Sequence, residues 1–343
     1  MSKAWLGVTA AVVIALSVSS AAQEPSGPLT IARQGSFFVG GRELRSEALS
    51  TRPAWPTSGT VTVDQVYVRY QIPVSARGVS LVLVHGCCLT GKTWETTPDG
   101  RMGWDEYLVR RGYPVYVIDQ ASRGRSASDA TAIASVTLGK TPTDRLPSTI
   151  WASREAAWDV FRFGPEYSKT YPGLRFPVAS LTEFWKQMVP DWNTSLPTPN
   201  PSVVALSELA IRLGRTVLVS HSQSGIYPFQ VVDLNSQGIA AIVSIEPAAC
   251  PDVSAAKGYT SVPALVLWGD YVESSPRWGP RLKACRDFGE AVNRLGGSVS
   301  QLVLPDIGIR GNSHMLMQDT NNLEVADRVL AWLRSRVEGE GRN

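Results

Sequence analysis

The sequence predicts an α/β fold: a mostly parallel, doubly wound sheet covered by helices on both faces, with an inserted, aromatic-rich cap. Three observations predict it. Solid apolar runs such as Ser80 to Val84 (SLVLV) have the pattern of strands covered on both faces. These runs alternate with helix-length amphipathic stretches, which argues for parallel pairing through crossovers. Between residues 121 and 215 the alternation gives way to a proline-rich stretch crowded with tryptophan and phenylalanine, which does not extend a sheet.

With 343 residues, 43% of them hydrophobic, the chain can bury a large core, and one domain with an insertion suits that size. Its 33 Lys and Arg against 30 Asp and Glu leave a net charge of only +3. That offers no basic field for nucleic acid or anionic membranes. Residues 1–22 read as a secretory signal: Lys3, an apolar core from Ala4 to Val18, and small residues Ser20, Ala21 and Ala22 before Gln23. The apolar run is too short and wrongly flanked to span a bilayer, and no cysteine follows it to accept a lipid. Export permits disulfides, and there are four cysteines. Cys250 and Cys285 fall in neighbouring strand and helix units that could bring them together, a closure worth roughly 3 to 4 kcal/mol. Cys87 and Cys88 are adjacent.

Residues 23–59 are rich in Ser, Pro and Gly, with one short apolar piece, Ser36 to Val39, expected as a lead-in strand. Val61 to Ile72 alternates apolar and polar residues as a half-buried antiparallel strand does. After the strand at Ser80 to Val84 come a short helix, Gly103 to Arg111, and a buried strand, Pro114 to Asp119. The cap carries helical pieces near Ser153 to Phe161, Leu181 to Met188 and Pro201 to Leu213. Its aromatics mostly serve packing, with one or two left for a pocket wall. Beyond it, strands at Ala240 to Ile245, Pro263 to Trp268 and Ser298 to Leu304 alternate with helices at Pro280 to Leu295 and Leu323 to Val337. No internal repeat is present.

Two turns carry the chemistry. Residues 216–225, TVLVSHSQSG, are a β-branched run that stops on small polar residues, the form of a nucleophile elbow. Serines 220 and 224 stand where the G-x-S-x-G pattern has glycine, and Ser222 takes the apex. Residues 86–93 follow a strand and match G-x-x-x-x-G-K-T, the phosphate-cradling loop, with Asp119 available to assist a metal. That reading needs a helix starting at Lys92 and Thr93, and Pro98 and Gly100 interrupt it. The competing reading needs no helix there: His85-Gly86 opens an oxyanion loop, whose next backbone N–H points into an acyl-transfer site.

A serine hydroxyl is a poor nucleophile near neutral pH and needs a base, usually histidine. There are three histidines. His85 belongs to the oxyanion loop and His221 flanks the nucleophile, which leaves His314, in the expected order after Ser222. The acid that orients it is Glu246 or Asp270; each ends an apolar strand between Ser222 and His314, and spacing does not separate them.

The elbow SHSQSGIYPFQ, the loop HGCCLTGKTWETTPDGRMGWDEY, the strand end VSIEP and the segment GNSHMLMQD together resemble the secreted bacterial α/β-hydrolase esterases with adjacent cysteines in the oxyanion loop. The likeness runs from about Gly35 to Trp332. It implies an α/β-hydrolase fold and a triad of Ser222, Glu246 and His314. It also implies oxyanion donors at the backbone N–H of Cys87 and Gln223, and a Cys87 to Cys88 disulfide.

The sequence therefore reads as a signal peptide at 1–22, hydrolase core at 23–120, cap at 121–215 and core again at 216–343. The expected function is that of an exported serine esterase, periplasmic or extracellular, acting on a small-molecule ester through an acyl-enzyme. No cofactor or metal is expected, since no His or Cys cluster keeps ligand spacing once the disulfides are set aside. Neither nucleic acid nor stable membrane insertion is expected, and a homodimer is allowed. The alternatives are another hydrolase of the same fold, for lactones, amides or C–C bonds, and a non-catalytic secreted binding module.

Overall fold

The structure is a computed structural model and describes residues 27–339, so the expected leader at 1–22 lies outside the described residues. Eight strands form one sheet in the order β1-β2-β4-β3-β5-β6-β7-β8. Strands β1 (Ile31–Ser46) and β2 (Gly59–Pro73) make an antiparallel hairpin at one edge, and β2 also runs antiparallel to β4 (Val115–Asp119). From β4 onward the pairing is parallel, through β3 (Ser80–Val84), β5 (Thr216–His221), β6 (Ile239–Ile245), β7 (Ala264–Trp268) and β8 (Val299–Val303). All residues of β5 and β7 are buried, which is why these strands read as solid apolar runs.

Among the described residues the α-helices are α1 (Trp104–Arg110), α2 (Thr131–Thr137), α3 (Arg154–Val160), α4 (Leu181–Lys186), α5 (Pro201–Leu213), α6 (Tyr227–Leu234), α7 (Gly279–Arg294) and α8 (Asn322–Leu333). Local chemistry explains where α5 starts: Asn200 accepts the Ser202 N–H, and Pro201 opens the first turn, where its missing N–H costs nothing.

Structure and expectation differ in two places. Strand β1 is 16 residues long, where the sequence suggested a short piece. It is an edge strand with only Val39 buried, so it carries no apolar alternation to read. Helix α5, read as part of the cap, belongs to the body. Its Val203, Ala205, Leu206 and Leu209 share a core with Val39, Val66 and Leu218 of the sheet.

The cap is built on an aromatic knot. Phe163 stacks on Phe176 at 4.2 Å, and Phe184 meets Phe161 edge-on at 5.4 Å. All four rings are buried in the main core, so most cap aromatics pack the insertion onto the body. A disulfide joins Cys250, after β6, to Cys285 in α7, with Cα atoms 5.2 Å apart. No helix among the described residues is long and apolar enough to cross a membrane.

Candidate active site

Strands β3 and β5 lie side by side at the point where the chain reverses its direction of travel across the sheet, and clefts form at such points. In the β5/β6 register Ser220 pairs with Ser244 and His221 with Ile245. The next residue of each strand is Ser222 on one and Glu246 on the other, so both emerge together at the sheet's C-terminal edge. Both leave the strand in the left-handed region, with φ of 59° and 51°. Side chains there are strained and persist only where the surroundings hold them.

Those surroundings are tight. A Cβ at Gly86 would come within 2.8 Å of the Ser222 Cβ, so the loop after β3 closes onto the nucleophile turn only because residue 86 lacks one. At Gly225 a Cβ would stand 2.5 Å from that of Pro247. Serine is accepted at 224 because its hydroxyl is used: the Oγ lies 3.0 Å from the His221 carbonyl and 3.2 Å from that of Val84 in β3.

Glu246 rather than Asp270 faces His314. His314 Nδ1 lies 3.1 Å from Glu246 Oε2. A carboxylate only accepts, so the Nδ1 proton points at Glu246 and leaves Nε2 as the basic nitrogen. Asp270 instead accepts the N–H groups of Tyr271 and Gly311, each at 2.8 Å, and organises its own loop.

His314 is fully buried between the rings of Phe161 and Trp278, with centroids 5.8 and 4.2 Å away. Its Nε2 has no hydrogen-bond partner, and no bond to Ser222 Oγ is formed. In proteins without bound substrate such catalytic hydrogen bonds are often long. Burial pushes its pKa down to about 4, against the opposing pull of Glu246.

The other two histidines stay neutral by burial. His85 is held to about 3, by burial and then by Arg123, while its ring bridges the Gly86 carbonyl and the Gln120 N–H. His221 is also pushed well down and donates from Nε2 to the His314 carbonyl at 2.9 Å.

Sequence reasoning missed two arginines that the structure places in the site. Arg162, from the cap, grips Glu246 with two bonds, Nη1 to Oε2 at 2.8 Å and Nη2 to Oε1 at 2.5 Å. Gly269 N–H also donates to Oε1 at 2.5 Å. Burial would raise the Glu246 pKa, but the Arg162 charge and the His314 bond hold it to about 2. Arg123 donates to the Gly86 carbonyl at 2.8 Å, to Gln120 Oε1 at 2.6 Å and to Gln223 Oε1 at 2.8 Å, and pairs with Asp191 at 3.0 Å. Asp191 in turn accepts the Cys88 N–H at 3.2 Å. One guanidinium thus ties together the loop of Cys87 and the side chain of Gln223, whose N–H groups are the expected oxyanion donors. Each arginine sits in an irregular, turn-rich segment with no periodicity to mark it; burial is the only signal, and burial is not written in the sequence.

Cys87 and Cys88, for which the resemblance implies a disulfide, lie side by side with their sulfurs unjoined in this structure. The Cys88 bond, and then burial, push the Cys87 thiol pKa up, while the Cys87 bond pulls that of Cys88 down against burial. Their sulfurs and an Asp191 oxygen lie within 4.8 Å of one another, a geometry open to a thiophilic metal. That carboxylate, however, is already engaged by Arg123 and the Cys88 N–H. The phosphate-loop reading fails on structure: Gly91–Trp94 is a single 3-10 turn, and the Gly91 N–H is bound to Asp119 at 2.7 Å.

Ser222, Cys87 and Gln223 open together into a cavity of about 560 Å³. Ile150, Trp151, Ala156, Val160 and Phe161 give it an apolar wall. Glu246 and His314, both fully buried, lie behind that surface.

No family profile matches the chain. A bacterial esterase of known structure is 58% identical over 92% of this chain and 99% of its own, with a TM-score of 0.91. The probable secreted lipase phiG of a fungal species (strain ATCC 74256) is 24% identical over 320 residues, 79% of this chain and 86% of that protein.

Proposed function

The chain belongs to the family of bacterial α/β-hydrolase esterases, and we propose that it cleaves a small-molecule carboxylic ester through an acyl-enzyme on Ser222, with His314 as base and Glu246 as its partner. Ser222 Oγ attacks the acyl carbon while His314 Nε2 takes its proton. The charge that develops on the carbonyl oxygen falls to the N–H groups of Cys87 and Gln223. His314 returns the proton to the departing alcohol, then draws one from the water that frees the acid. Glu246 keeps the imidazole in the right tautomer and supports its transient charge. The likeness to a secreted lipase favours an exported protein, in the periplasm or outside the cell.

The observation that carries this reading is the 3.1 Å bond from His314 Nδ1 to Glu246, beside an unpartnered Nε2. A fluorophosphonate should label Ser222, and Ser222→Ala should lower kcat on p-nitrophenyl butyrate by about 10⁴-fold or more. Absence of an adduct on Ser222 would leave a binding module as the better reading. Glu246→Gln should cost about 10² to 10⁴-fold and Asp270→Asn under about tenfold, since only the former orients the base. The reverse order would transfer the acid's role to Asp270.

A further inference from the structure

The cavity that opens at Ser222 has an unbalanced charge. Its sixteen lining residues include two arginines, Arg277 and Arg281, and no carboxylate. Arg277 has an acid within reach, Asp159, but at 3.5 Å and with both side chains well exposed, a contact of little weight. Arg281 has none: it forms no ion pair with any described residue.

What holds Arg281 in place is neutral. Its Nε donates to the Ala248 carbonyl at 2.9 Å, and Nη1 reaches the Arg277 carbonyl. The guanidinium sits over the Trp278 ring at 5.2 Å, a ring that also packs on His314 and lies under Arg162. Ala248 N–H donates in turn to the Ser222 carbonyl at 2.8 Å, so two hydrogen bonds connect this cation to the nucleophile turn. Of these contacts the ring is the one that uses the charge, and no carboxylate meets it. Arg281 also stands in the first turn of α7, at the positive end of the helix, with a second arginine beside it. Burial and Arg277 both work against its protonated form. A half-buried cation that no carboxylate of the described residues pairs is available to an anion from outside the folded chain.

We infer that the substrate is an anionic ester: an apolar body against the wall of Ile150, Trp151 and Val160, and a carboxylate that docks on the guanidinium of Arg281 with Arg277 beside it. This rests on the esterase reading and narrows it. The carboxylate belongs to the acyl half or to the alcohol half, and both present the same oxygens to Arg281, whose fork suits a planar anion.

Two pairs of esters test it. In p-nitrophenyl hemisuccinate against p-nitrophenyl butyrate the charge is on the acyl side; in 4-acetoxybenzoate against 4-acetoxybenzamide it is on the alcohol side. In one pair the charged member should have the higher kcat/KM by about tenfold, the scale of one charge-assisted hydrogen bond. That preference should shrink as salt is added. Arg281→Met should collapse the charged-to-neutral ratio toward one, and Arg281→Lys should keep most of it. No preference in either pair, or an Arg281→Met variant that slows both members by the same factor, overturns the inference and leaves Arg281 as a staple on Ala248. Failure of the esterase reading looks different: the wild-type protein would then cleave neither charged nor neutral esters.

Discussion

Arg123 stands on the oxyanion side of Ser222 and Arg162 on the base side, each almost fully buried and each paired with a carboxylate, Asp191 at 3.0 Å and Glu246 at 2.5 Å. The chemistry of the two pairs is the same, but their partners are not. Arg123 and Asp191 distribute their remaining bonds over backbone and amide groups that hold the loops of Cys87 and Gln223. Neither changes charge when an ester is cleaved. Arg162 grips the very carboxylate that is to support His314, and its Nη1 lies 3.3 Å from Nδ1, donor against donor. That pair fixes Glu246 in place and keeps it ionised, yet it opposes the imidazolium the carboxylate should favour. One clamp gives geometry at no electrostatic cost to the reaction, and the other gives geometry at the expense of basicity.

The base-side clamp should be the more damaging to remove. Arg162→Met strands the Glu246 charge in a dry interior, and breaking a buried pair on one side typically costs about 3 to 5 kcal/mol. Urea unfolding should show that loss, and Arg162→Met with Glu246→Gln should recover most of the stability while recovering no activity. If the double variant is as unstable as the single one, packing by Arg162 matters more than its charge. The oxyanion-side clamp comes next. Arg123→Gln should lower kcat by about 10² to 10³-fold, as loss of one oxyanion donor does, because the loop of Cys87 loses its anchor. Its pH profile should stay put, since His314 is remote from that change. A shifted profile would mean that the two clamps are coupled.

The same contrast explains what could be read from the sequence. Strands β3 to β8 and the turn at Ser222 were legible because each is local, an apolar run or a small-residue turn, and the proposed base His314 was marked by chain order. Glu246 and Asp270 were equivalent on those terms, each a carboxylate at a strand end. Register separates them, since β6 lies beside β5 and β7 lies one strand further out. Arg123 and Arg162 were illegible because their meaning is wholly tertiary: 84 residues separate Arg162 from Glu246, and 100 separate Arg123 from Gln223. Strand β1 was under-read for a different reason. An edge strand is specified by its pairing rather than by its burial, and pairing leaves no pattern in side-chain type.

The smallest effect is a pH midpoint, and it sharpens the comparison most. Burial, and then the charge of Arg162 among others, lowers His314 to about 4, while Glu246 raises it. In the proposed mechanism His314 acts as a base only when neutral, so activity should be retained above its pKa and lost as the pH falls through it. For a neutral ester, kcat/KM should therefore hold level from pH 8 to pH 6 and fall with a midpoint clearly below the 6.5 of an ordinary histidine. In Arg162→Met the cation beside Nδ1 is gone, the imidazolium is less opposed, and the midpoint should move upward, so that the variant loses activity at a pH where the wild type still works. A wild-type midpoint at or above 6.5 would show that Glu246 outweighs both burial and Arg162, and the base-side clamp would then cost the reaction nothing.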